Sequence, residues 1–333
     1  MKSSRMTGGW GWFAATNLSI FLFSLGSISA LGQNSPHNGS GYLPHRVYDS
    51  GGKRFSDFEA MLLALSRSEV VFVGEQHDDP ATHRVERSIL EGLARRGVDV
   101  VVAMEMFERD TQQPVDDYLG GKITEEEFLK ASRPWPRYAT DYRPLIEFAR
   151  AHRWRVIASN TPRRIASQFS RKGMEALPAI PENERNLLAA EIKCPADDYF
   201  AKFAEVIGDG HPVGDGKTPG KDQEAERKAM IDRFYYAQCV KDETMAESIV
   251  ARMGPNVSSQ PKPVIVHFNG AFHSDFRLGT AARVIRRMPK SAVRVVTIVP
   301  VDDLDEVKPE AYRKRGDYVV FTIKPPAKKE PAK

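Results

Sequence analysis

Six short runs of β-branched and apolar residues restrict the fold of this 333-residue chain more than any other feature. They occupy 69–73 (EVVFV), 98–104 (VDVVVAM), 154–159 (WRVIAS), 263–268 (PVIVHF), 293–299 (VRVVTIV) and 317–323 (DYVVFTI). A strand with one wet face alternates apolar and polar residues, whereas a run that is apolar throughout belongs to a strand covered on both faces, the usual condition of a parallel sheet. The segment between the first two runs carries helix signals. Asp79 can cap, Pro80 suits the first helical position, Val85, Ile89 and Leu93 recur every four residues, and Gly97 ends the pattern. Strand, helix and strand at this spacing predict a right-handed parallel crossover. The expected fold class is α/β, a three-layer, mostly parallel sheet flanked by helices, with an inserted helical lobe.

Two stretches, about 106–153 and 165–255, are too long and too helical to be plain crossovers. The first holds a capping box, Thr124 to Glu127, a short helix stopped near Pro134 and a second helix after Pro144. The second has a Gly-rich break at 208–220 and then a long helix carrying Met230, Phe234, Met245 and Ile249. Together they read as a lobe over one edge of the sheet. Residues 33–52, rich in Gly, Ser, Asn and Pro, read as a flexible lead-in, and 324–333 as a disordered Lys/Pro tail. Lys2 and Arg5, the uncharged stretch after them and the small residues Ala30-Leu31-Gly32 predict a signal peptide over 1–32. The stretch is long enough to serve as a retained anchor, but its many Ser, Thr and Asn residues favour cleavage. The expected location is therefore exported, periplasmic or cell envelope. No Cys follows the signal, so a terminal-Cys lipoprotein is not expected. In an oxidising space Cys194 and Cys239 either pair or remain two separate buried thiols.

The formal charge of +4 is carried by the ends: without Lys2, Arg5 and the last ten residues, the body stands at −1. That balance lacks the cationic excess that phosphate backbones require, so nucleic acid is not an expected partner. C-x-x-C and H-E-x-x-H are both missing, which removes zinc ribbons, thioredoxin-type sites and the common metalloprotease helix.

In a parallel sheet the ligand site lies beyond the carboxyl ends of the strands. The first run empties into Gly74-Glu75-Gln76-His77, the second into Glu105, the third into Asn160 and Thr161, and the fourth into Asn269-Gly270-Ala271-Phe272-His273. Parallel strands would bring these distant residues to one mouth. Glu75, His77, Glu105 and His273 then form a set suited to a divalent Mn, Co or Zn ion, and the helix N-terminus behind His77 should favour its neutral ring. His267, inside its run, reads as buried structure. The segment from Pro134 to Pro144, WPRYATDYR between its prolines, offers aromatic rings and guanidinium groups either to line a pocket for a flat anionic ligand or to seal the lobe onto the sheet.

GEQHDDPATHR at 74–84, AMEMFERDTQ at 103–112, the WPRYATDYRP run, ASNTPRR at 158–164, the FYYAQCVKDETMA helix and the closing Gly270-x-x-His273 resemble, in order and spacing, the ChaN-like haem-binding uptake proteins. Their superfamily also holds Tiki proteases, TraB proteins and erythromycin esterases. The resemblance implies a ChaN-like α/β domain over 53–323, haem as cofactor and a role in haem or iron uptake. The partners it implies are haem, an envelope haem receptor or transporter and, as an option, a second copy in a homodimer. Side chains that include Tyr hold haem in such proteins, which makes Tyr138 and Tyr142, with Arg137, the cofactor-binding candidates by position. In hydrolytic relatives the positions matching Glu75, His77, Glu105 and His273 hold metal or act as general base, with His77 and Glu75 as the catalytic candidates. Two functions follow: an exported haem-binding protein, or a metal-dependent hydrolase using the strand-end set. Sequence leaves open whether the chain is an enzyme.

Overall fold

The computed structural model describes residues 42–210, 221–253 and 262–325. The segment 1–32 predicted as a signal peptide, most of the Gly-rich break and the tail from 326 lie outside the described residues. The chain enters one eight-stranded sheet through two strands at one side, β1 (His45–Asp49) and the edge strand β2 (Arg54–Ser56). The apolar runs supply the others: β3 (Val70–Glu75), β4 (Val100–Glu108), β5 (Arg155–Asn160), β6 (Val264–Gly270), β7 (Val293–Val301) and β8 (Tyr318–Ile323). Their order is β2-β1-β8-β7-β3-β6-β4-β5. From β8 to β5 every neighbouring pair is parallel, and only β1 is antiparallel to β8 and β2. Part of the segment read as a flexible lead-in is therefore ordered. β1 escapes the sequence pattern because only Val47 and Tyr48 of its five residues are buried.

Helices cover both faces, which is why the central strands are apolar on both alternations. Val71 and Val73 of β3 pack with Val85, Ile89 and Leu93 of the crossover helix, while Val70 and Phe72 join a cluster on the other face. Fully burying each such side chain contributes about 1.5–3 kcal/mol. The helices are α1 (Phe58–Leu65), α2 (Pro80–Arg95), α3 (Gln112–Leu119), α4 (Glu125–Ser132), α5 (Arg143–Ala151), α6 (Arg163–Lys172), α7 (Asp198–Gly210), α8 (Lys221–Met253) and α9 (Gly279–Arg287). Asp79 caps α2, its Oδ1 accepting from Ala81 N at 3.0 Å, and Thr124 and Glu127 form the expected capping box on α4.

The two helical stretches do not gather over one edge. Val115, Phe128, Leu145 and Ile146 of the first complete the core under α2, whereas Ala246 and Ile249 of α8 close the opposite face with Ala281 and Val284 of α9. Cys194 and Cys239 are bonded, which ties the chain ahead of α7 to the middle of α8. Among the described residues no helix is long and apolar enough to cross a membrane.

Candidate functional site

The parallel register brings the carboxyl ends of β3, β4 and β6 side by side. β4 pairs with β6 up to Met104 and then departs, its register to β5 shifting between Met104 and Glu108. Such an irregularity re-aims a side chain. Here Glu105 swings over the end of β6, where its Oε2 accepts from Gly270 N at 2.8 Å. A cavity of about 820 Å³ opens above these ends, and Glu75, His77, Glu105 and His273 all line it. Glycine at 270 leaves room for the imidazole, since a Cβ there would stand 2.7 Å from His77 Nε2 and displace the ring.

The four side chains come together as two carboxylate–imidazole pairs. In the first, His77 Nδ1 donates to Glu75 Oε1 at 2.5 Å, and the same oxygen accepts from Tyr142 OH at 2.8 Å. His77 keeps 44% of its side chain exposed and meets Trp135 edge-on, ring centroids 4.8 Å apart. Burial would lower its pKa, but the Glu75 hydrogen bond and the charges of Glu105 and Glu75 raise it above the usual imidazole value. The shift runs opposite to the one expected from the helix N-terminus alone, because two carboxylates face the ring.

The second pair is closed. His273 Nε2 lies 3.2 Å from Glu105 Oε1, and Nδ1 lies 2.7 Å from Asp242 Oδ1. Asp242 also accepts from Thr280 Oγ1 and Tyr199 OH, each at 2.7 Å. Burial alone would favour a neutral His273, yet the two carboxylates overcome it and push the ring up to about 10. Glu105 is held well below the usual carboxylate range, since the His273 charge and hydrogen bond outweigh its own burial. His273 is thus an imidazolium with both nitrogens committed to carboxylates. A cation joining Glu75, His77, Glu105 and His273, all four at this one mouth, would have to displace a proton to reach the ring.

His267 is buried as expected, with Nδ1 3.1 Å from Asn269 Oδ1 and burial taking its pKa down to about 4. The cofactor candidates of the aromatic segment are not at the cavity. Tyr138 packs beside Phe107 and Phe128, and its hydroxyl has no hydrogen-bond partner. Tyr142 OH donates a hydrogen bond to Glu75 Oε1 beneath the floor. Burial raises the pKa of both phenols, against the phenolate an iron would take. Arg137 pairs with Asp141 at 2.5 Å and donates to Asp78 O at 3.1 Å. A π-helical turn, Tyr138–Tyr142, directs these rings into the core, where they bury more apolar surface than a solvated wall would offer. From that segment the cavity receives Trp135.

Sequence reasoning missed His83, Glu86 and Asp141 below the floor and Asp242 behind it. His83 Nδ1 lies 2.9 Å from Glu86 Oε2 and 3.7 Å from Glu75 Oε2, and Nε2 lies 3.2 Å from His77 O and 3.4 Å from Asp141 Oδ2. Burial first, then Glu75 and Asp141, raises Glu86 well above the ordinary carboxyl value. A signal existed: His83 and Glu86 fall on the same stripe of α2 as Ile89 and Leu90, and a charged pair on an apolar stripe is buried with it. Asp242 likewise interrupts the buried run of α8 between Val240 and Met245.

Aromatic and apolar side chains from α7 and the turn after β6, including Tyr199, Phe203, Val206, Phe272 and Phe276, form the remaining walls, and Lys202, Lys241 and Arg315 supply positive charge. The chloroplastic protein RETICULATA-RELATED 5 of Arabidopsis thaliana is 22% identical over 244 residues, 71% of this chain and 32% of its own length. The chain thus spans about a third of that curated relative. Among solved structures, that of cofacial haem binding to ChaN of Campylobacter jejuni superposes with a TM-score of 0.58 at 17% identity, covering 84% of this chain and 96% of that one, and so shares the fold. An erythromycin esterase mutant, EreC in its open conformation, gives 0.41 at 13% identity over 85% of this chain and 83% of its own. A profile of the family described as haem-binding uptake, Tiki superfamily, ChaN matches residues 61–284, and the chain belongs to that family.

Proposed function

We propose that the chain is an exported haem-binding protein of haem or iron uptake, and that it holds the porphyrin in the cavity above the strand ends with His77 toward the iron. The observation that carries the reading is the asymmetry of the two imidazoles. His273 has both nitrogens committed, whereas His77 is half-exposed on the cavity rim with only Nδ1 engaged, which leaves Nε2 as a donor. An imidazole backed by a carboxylate on its other nitrogen is a common arrangement for a ligand to iron. About 820 Å³ lies within the range of small-ligand and cofactor sites, the walls are aromatic, and Lys202, Lys241 and Arg315 suit the propionates of haem. Haem would supply an iron that accepts an imidazole nitrogen, and the chain's own part is to orient His77 through Glu75 and to exclude water with Trp135 and Phe272.

The disulfide supports export, because such bonds persist in oxidising compartments. On this reading the haem passes to an envelope receptor or transporter. Titration of the full chain with hemin should give a saturable change in the Soret band. Glu75→Gln, which disorients His77, should weaken binding roughly 10- to 100-fold, and His77→Ala at least as much. Tyr138→Phe should leave it unchanged. A non-saturating response, or binding lost on Tyr138→Phe and kept in His77→Ala, would overturn the assignment.

A further inference from the structure

Beneath the cavity floor lies a cluster of which the haem reading uses only Glu75, and of that residue only Oε1. One ligand atom each from Glu75, His83 and Glu86 lies within 4.8 Å of the others, and all three residues are buried, at 1%, 5% and 0% exposure. Two oxygens of the cluster, Glu75 Oε2 and Glu86 Oε1, have no hydrogen-bond partner and no access to solvent. A buried acceptor left unpaired costs about 1–3 kcal/mol, and more when it is charged. The arrangement therefore calls for a positive species between the carboxylates.

We propose that Glu75, His83 and Glu86 hold one divalent cation of the Zn²⁺ or Mn²⁺ class. One imidazole nitrogen with carboxylate oxygens is the donor set those ions take, and no thiolate is present to favour a softer one. The surroundings are those of ligating side chains. His83 Nε2 lies 3.2 Å from His77 O and 3.4 Å from Asp141 Oδ2, so its N–H has a carbonyl and a carboxylate to meet, which leaves the Nδ1 lone pair toward Glu86 and Glu75. Asp141 is itself fixed by Arg137 at 2.5 Å and by Thr140 Oγ1 at 2.8 Å. Glu75 receives Tyr142 OH and His77 on Oε1, which leaves Oε2 for the ion. The end of β3 and the first turns of α2 supply all three ligands, so the ion ties helix to strand and sets the orientation of Glu75, hence of His77. This role is one of positioning, and it adds to the haem reading without depending on it.

Because the ligands are buried, the ion is loaded during folding. The test is to unfold the full chain with chelator, refold it with Zn²⁺ or Mn²⁺ alone, desalt it and measure metal by elemental analysis. The wild type should retain about one ion per chain, His77→Ala should retain it, and His83→Gln and Glu86→Gln should each lose it while keeping native near-ultraviolet circular dichroism. X-ray absorption on the loaded wild type, which needs no variant, should show a shell of nitrogen and oxygen only, at about 2.0–2.2 Å. A wild type that refolds without an ion, or an ion kept in both cluster variants, would overturn the site. An infrared band of a protonated carboxyl in the wild type, lost in Glu86→Gln, would replace the cation by a proton. Hemin affinity is read separately from the Soret band, so failure of the metal site and failure of the haem site are distinguishable.

Discussion

His273 carries a charge that the fold depends on, and that dependence has a sign. Its pKa is pushed from the ordinary 6.5 up to about 10 in the folded chain. Below pH 6.5 the ring is protonated folded or unfolded, and the full stabilisation is present. Above that, the unfolded chain releases the proton while the folded chain keeps it, so stability falls as pH rises toward 10. On the acid side Glu105 and Asp242, both lowered by His273 against their own burial, contribute stability that is lost as pH falls through their depressed values. Urea unfolding of wild type and His273→Asn between pH 6.5 and 10 should show a decline in the wild type that the variant, less stable at the low end, does not share. Parallel profiles would mean that the ring is not charged. Glu75, His77, Glu105 and His273 were legible because each follows an apolar run whose direction the parallel sheet dictates. Asp242 was not, since its partner lies on a turn 31 residues away in sequence and only the packing of α8 joins them. For Tyr138 and Tyr142 the sequence left two placements open, since a proline-framed aromatic segment suits a pocket wall and a core equally well, and the fold packs both rings into the core.

At the scale of elements, the strands buried on both faces announced themselves, while β1 and β2 did not. β2 has two exposed residues of three, and an edge strand has no second sheet neighbour to demand an apolar pattern. The disulfide could not be read from spacing, because pairing depends on where α8 lies. It joins residues 45 apart, and closing a loop of that length stabilises by about 4 kcal/mol in the chain-entropy model. Cys239 also packs in the cluster of Tyr199, Phe203, Ile231 and Tyr235 that seats α7. The double substitution Cys194→Ala, Cys239→Ala should therefore lower the free energy of urea unfolding by about 2–5 kcal/mol. A loss well below 1 kcal/mol would show that the cluster alone holds the helix.

For the whole molecule, the cavity belongs to two parts of different rigidity. Its floor is the end of a sheet whose strands β3 and β6 are buried along their entire length. Its far wall is α7, anchored by Tyr199 and Phe203 but presenting Val206 at 57% exposure. A flat ligand filling the space touches both, and it can order only the part that is not already fixed. Amide exchange in strands buried this deeply reports global unfolding, whereas a helix seated by two aromatic residues opens locally. Hemin should thus slow exchange across Asp198–Gly210 far more than in β3 or β6. Protection confined to the Tyr138–Tyr142 turn would instead seat the porphyrin on the opposite side of Glu75 and make those phenols its neighbours. The comparison needs no substitution, so it separates the two positions even if a variant of His77 disturbs the fold.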